Sequence, residues 1–107
     1  MKISVFATTQ FEGFHRWPAA PDAVGYLRDL HRHIFHVRAE KPVLHNDREV
    51  EFITLKQELN VEIDIAQRSN DVSTWSCEQW AVHLLEQLDL SRCEVSEDAE
   101  NGAIVEV

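Results

Sequence analysis

Apolar and polar residues alternate at the start of the chain. Within residues 2–11, Ile3, Val5 and Ala7 fall on one side, and Ser4, Thr8 and Gln10 largely on the other. That period of two predicts a half-buried strand. Trp17 to Pro21 holds two prolines and ends the pattern, because proline fixes φ and offers no backbone N–H. Asp22 to Asp29 reads as a short helix or an ordered loop, with Gly25 weighing against helix. Leu30 to Val43 is rich in β-branched and aromatic residues and predicts a second strand, and Pro42 places its end at a sheet edge. His45-Asn46-Asp47 is a turn signal.

Two periods compete over Glu51 to Ala66. Phe52, Leu55, Leu59, Ile63 and Ala66 recur at helical spacing, while Leu59, Val61, Ile63 and Ile65 alternate. The pattern predicts a helix from Glu51 to about Asn60 and leaves the rest open between helix and strand. Gln67 to Thr74 is polar and loop-like. Ser76 then opens a helix as its N-cap, with Gln79 completing a capping box. Trp80, Leu84, Leu85 and Leu88 form that helix's apolar stripe. Ser91 to Glu97 and Ala103 to Val107 predict two further strands, joined through Asp98-Ala99-Glu100-Asn101-Gly102, where Asn-Gly is a hairpin signal. The expected fold class is α+β. An order ββααββ is satisfied by a four-stranded antiparallel sheet with two helices on one face. Such a sheet has two open edges, which call for a partner strand.

At 107 residues the chain is expected to be one domain, residues 1–107, with a modest core that oligomerisation would support. Ten Lys and Arg stand against 19 Asp and Glu, a net charge of -9. Phosphate backbones and anionic membranes need a basic face, so no nucleic acid and no membrane is expected as a partner. From Glu86 onward seven acids oppose the single base Arg92, as a solvated surface would. Cys77 and Cys93 are too few for a disulfide scaffold. The first ten residues lack the apolar run of a signal peptide, and no apolar stretch has the ~20 residues that span a bilayer. A cytoplasmic location is expected.

Candidate chemistry lies in the histidines. His31 and His33 flank Arg32 in an extended segment, so both imidazoles point to one face. A third imidazole from a neighbouring strand would complete a three-histidine site of the kind that leaves zinc an open position, and a lone His15 precedes the pair. His36 has the opposite parity and is expected to face away. His45 lies in the turn and His83 on the last helix, where surface or core roles are expected.

Five segments then match one family in order. They are Phe11-Glu12-Gly13-Phe14-His15-Arg16, His31-Arg32-His33-Ile34-Phe35, Glu51-Phe52-Ile53-Thr54-Leu55-Lys56, Ser76-Cys77-Glu78-Gln79-Trp80-Ala81, and Val95-Ser96-Glu97 followed by Gly102-Ala103. Together they resemble the 6-pyruvoyl-tetrahydropterin synthase and 6-carboxytetrahydropterin synthase family. The resemblance implies a T-fold whose subunits assemble into a β-barrel, commonly a trimer stacked as a hexamer, with active sites between subunits. It implies Zn2+ on His15, His31 and His33. It implies that Glu97 anchors the pterin, since a carboxylate is acceptor-only and receives two parallel donors.

The chain departs from the family at its proton relay. Leu27 stands where the family has a cysteine base, and residues 60–75 hold Asp64 and Asp71 but no histidine for the usual Asp-His pair. Asp29 and Cys77 are the conceivable substitutes, Cys77 because a helix N-terminus lowers a thiol pKa. The leading expectation is a zinc-dependent, lyase-like enzyme acting on a reduced pterin or a related GTP-derived heterocycle, with an unassigned catalytic base. The alternative is a catalytically reduced, metal-containing protein that binds a pterin or deazaguanine-like ligand.

Overall fold

A computed structural model describes all 107 residues. Along the chain come β1 (Ile3–His15), a 3-10 segment (Asp22–Arg28), β2 (His31–Val43), α1 (Phe52–Ser69), α2 (Cys77–Leu88), β3 (Arg92–Glu97) and β4 (Asn101–Glu106). The protein is α+β, with one four-stranded antiparallel sheet in the order β1-β2-β3-β4. No helix is long and apolar enough to cross a membrane.

The inward positions of the sheet obey the period of two. Phe35, Val37 and Ala39 on β2 and Cys93 and Val95 on β3 are buried, and they share one cluster with Leu55, Leu59 and Ile63 of α1 and Trp80, Ala81 and Leu84 of α2. Both helices therefore cover the same face. Leu85 and Leu88 are only half-buried at the margin of that cluster.

The structure corrects several boundaries. β1 continues to His15, four residues past its expected end, because Phe11, Gly13 and His15 keep the inward parity beside β2. α1 runs to Ser69, and the alternation after Leu59 is not a strand. Successive 100° steps place Leu55, Leu59, Ile63 and Ala66 on one buried stripe and leave Val61 and Ile65 exposed. Phe52 is not part of that stripe and lies exposed in the first turn. Glu51 caps this helix, its carboxylate accepting from the Ile53 and Thr54 amides. The capping box of Ser76 and Gln79 is formed as expected.

Pro42 does not lie on an edge strand, since β2 is central. Its pairing with β3 nevertheless stops at Glu40, so residues 41–43 have only β1 beside them and the missing N–H removes no ladder bond on the other side. The last hairpin also turns earlier than Asn101-Gly102. Asp98 (φ 54°) and Ala99 (φ 60°) take the two left-handed positions, and the Glu100 amide donates to the Glu97 carbonyl at 3.0 Å. Asn101 and Gly102 instead pair with Glu97 and Ser96 in the ladder.

Gly102 is required there for space. A Cβ at this position would lie 2.1 Å from the Val95 carbonyl oxygen and 2.5 Å from the Ser96 Cα. Backbone cannot yield as a side-chain tip does. Gly102→Ala is expected to cost roughly 3 kcal/mol, the upper end of overpacking penalties. Denaturant titration checks this, and an unchanged midpoint would count against the close pairing of β3 with β4.

Candidate metal centre

Strand register brings the histidines together. His15 of β1 pairs directly with His31 of β2, and His33 lies opposite Gly13. Gly13 leaves its side of the ladder empty, so the Phe35 ring lies over it: a Cβ there would meet that ring at 2.7 Å. All three imidazoles share the inward parity of Phe35 and Val37, at the end of the sheet that β3 does not reach, because the β2–β3 pairing begins at Phe35 and Glu97. Their ring centroids are 4.5, 5.1 and 4.9 Å apart, and one nitrogen from each lies within 4.8 Å of the other two. The sheet thus brings together His31 and His33, picked out by spacing, and His15, added by the resemblance. His36 has the opposite parity and lies on the far face, among Thr8, Gln10 and Arg38. His83 contacts Glu62 at 3.0 Å and packs on Trp75, a structural role.

Each histidine is held from behind. His15 Nδ1 lies 3.2 Å from the Trp75 carbonyl oxygen, His31 Nδ1 2.8 Å from the Asp29 carbonyl oxygen, and His33 Nδ1 2.7 Å from Asp98 Oδ2. Carbonyl and carboxylate oxygens only accept, so each Nδ1 carries the proton and donates. That leaves Nε2 of each ring as the nitrogen with a free lone pair. Orientation of this kind, with the outer ring nitrogen bonded to an oxygen acceptor, is what metal-binding imidazoles require.

Glu97 stands at the same centre. Its Oε1 is 3.2 Å from His15 Nε2 and its Oε2 is 3.3 Å from His33 Nε2. The second contact is close enough for an ion pair, yet it is not aligned as a hydrogen bond, and His33 Nε2 is a buried nitrogen without a partner. Lone pairs on nitrogen facing a carboxylate repel one another unless positive charge lies between them. Burial holds the His15 pKa below its ordinary value, against the pull of the Trp75 carbonyl and Glu97. The Asp98 carboxyl is also held below its usual range, first by the Ile34 amide and then by His33.

A cleft of about 570 Å³ opens beside the histidines. His15, His31 and Glu97 line it together with Leu27, Trp17 and Trp75. Glu78, Gln79 and Cys77 from the start of α2 complete one wall. Cys77 and Asp29 differ in their surroundings. Cys77 is buried, and desolvation together with Glu97 and Glu78 pushes its thiol up to about 12, opposite to the effect of a helix N-terminus. Asp29 is exposed, and its contribution to the site is the backbone carbonyl behind His31.

Sequence reasoning missed Asp98, read there as a turn residue. It also missed the Trp75 and Asp29 carbonyls, which no residue type encodes. No protein-family model matches the chain, and a search of curated proteins finds no match.

Proposed function

We propose that the chain is a zinc-dependent T-fold subunit of the pterin-synthase kind, acting on a reduced pterin or a related GTP-derived heterocycle. One observation carries the metal half: three imidazoles, each with Nδ1 at an oxygen acceptor, bring one nitrogen apiece within 4.8 Å of the others, and His33 Nε2 is buried and unpartnered. Three nitrogen donors with room for a fourth group fit zinc. Bound there, zinc would act as a Lewis acid on a carbonyl or hydroxyl oxygen of the substrate's side chain.

The five motifs support the substrate half. Glu97 lines the cleft. A carboxylate on that wall accepts N–H donors such as those of a pterin ring. β1 and β4 are open edges of the sheet. Pairing of these edges between copies would close a barrel, as a trimer or hexamer in the cytoplasm, and would cover both.

Leu27 on the cleft wall and the raised Cys77 thiol favour a second reading, a metal-containing protein that binds the heterocycle without turning it over. Incubation of the zinc-loaded protein with dihydroneopterin triphosphate separates the two. Product formation supports the enzyme, and tight binding without turnover supports the binder. Neither binding nor turnover overturns the pterin assignment. Absence of zinc from protein purified without chelators, together with failure to take zinc up, overturns the metal centre.

A further inference from the structure

The three histidines are supported unequally. Trp75 and Asp29 support His15 and His31 through backbone carbonyls, which no substitution at those positions removes. His33 alone depends on a side chain. That side chain belongs to Asp98, which makes three contacts to one short stretch of β2. Its amide donates to the Ile34 carbonyl at 2.7 Å, its Oδ1 accepts from the Ile34 amide at 2.9 Å, and its Oδ2 accepts from His33 Nδ1 at 2.7 Å. The β2–β3 ladder ends at Phe35 and Glu97, so these contacts, beyond the ladder, tie the β3–β4 turn to His33 and Ile34. The left-handed backbone at Asp98 turns the chain back toward β2 immediately after Glu97.

We propose that Asp98 is the positioning residue of the metal centre: its carboxylate selects the tautomer and fixes the ring plane of His33 so that Nε2 faces the ion. Asp98 meets the ring at Nδ1 and is not one of the three residues that converge, so it supplies no ligand atom. The proposal rests on the metal reading above. Its particular content is that the outer support for one of three ligands is a replaceable side chain carried on a hairpin turn.

Two variants test it. Asp98→Gly removes the carboxylate and suits the positive φ, so the turn itself is not strained. Asp98→Asn keeps an acceptor and tolerates the same backbone. Zinc affinity is measured by competition with a chelating indicator, and the absorption spectrum of the Co2+-loaded protein reports ligand geometry. Asp98→Gly is expected to bind zinc about 10- to 100-fold more weakly, the usual effect of losing an outer-sphere partner. Its Co2+ bands should shift, while the metal-free protein should lose only the few degrees of melting temperature that the lost Ile34 amide–carboxylate hydrogen bond accounts for. Asp98→Asn should fall between Asp98→Gly and the unaltered chain.

Zinc affinity and Co2+ bands unchanged in both variants would overturn the role of Asp98 and leave the metal centre standing. If Asp98→Gly does not fold, Asp98→Asn decides: full affinity with unshifted bands overturns the proposal, and weakened affinity with shifted bands supports it. An unaltered chain that takes up neither metal overturns both the proposal and the reading beneath it.

Discussion

His33→Ala is expected to lower zinc affinity by at least about a hundredfold, while His36→Ala leaves it unchanged. The two residues are three apart on β2, and strand parity separates them. His33 shares the inward face with Phe35 and Val37, whereas His36 lies on the far face with Arg38. Four-ligand protein zinc sites are worth roughly 10–16 kcal/mol, or about 3 kcal/mol per ligand, and that amount is roughly a hundredfold in affinity. The loss should fall short of complete, because His15 and His31 keep their backbone supports and directly face one another across the ladder. Metal content after dialysis against a weak chelator gives a simple reading. One zinc per chain is expected in the unaltered protein and in His36→Ala, and well under one in His33→Ala. Equal retention in all three would mean that zinc, if bound, is held elsewhere.

Much of this site was legible because it depends on parity. His31-Arg32-His33 needs only an extended backbone to aim two rings together, and His15 needs only an antiparallel neighbour in register. The register was not legible in the same way. It follows from thirteen consecutive β1–β2 pairs, and from Gly13 making room for the Phe35 ring. Helix α1 was half-legible because Leu59 and Ile63 satisfy both periods, while Val61 and Ile65 fit only the alternation. The buried stripe decided between them, and burial is a tertiary property. The hairpin misled for a different reason. Asn101-Gly102 carries the stronger turn signal, but Gly102 is needed in the ladder, where a Cβ would meet the β3 backbone, and the turn fell to Asp98-Ala99. Asp98 thereby came within reach of His33. A tertiary demand on one glycine thus goes with a support for the metal centre that no local pattern announces.

Trp80→Ala is expected to have the largest effect on stability. Trp80 is 2% exposed and sits at the meeting point of both layers, its ring centroid 5.0 Å from Phe11 on β1 and 4.9 Å from Trp75 before α2. Truncating a buried Trp costs about 3–5 kcal/mol through lost transfer energy and the cavity left behind. A domain near 100 residues loses roughly 4–8 °C for each kcal/mol, so the melting temperature should fall by roughly 12–40 °C. Trp80→Phe keeps much of the volume and should lose less than half as much. The effect should also reach the metal centre. Trp75 packs against Trp80, and the Trp75 carbonyl holds His15 Nδ1. Zinc at a thousand times its dissociation constant stabilises a folded protein by about 4 kcal/mol. In the unaltered chain that gain should appear in full as a raised melting temperature. In Trp80→Ala it should shrink, because a loosened Trp75 no longer orients His15 and the dissociation constant rises. An equal zinc-induced shift in both proteins would show that the core and the histidines are energetically independent.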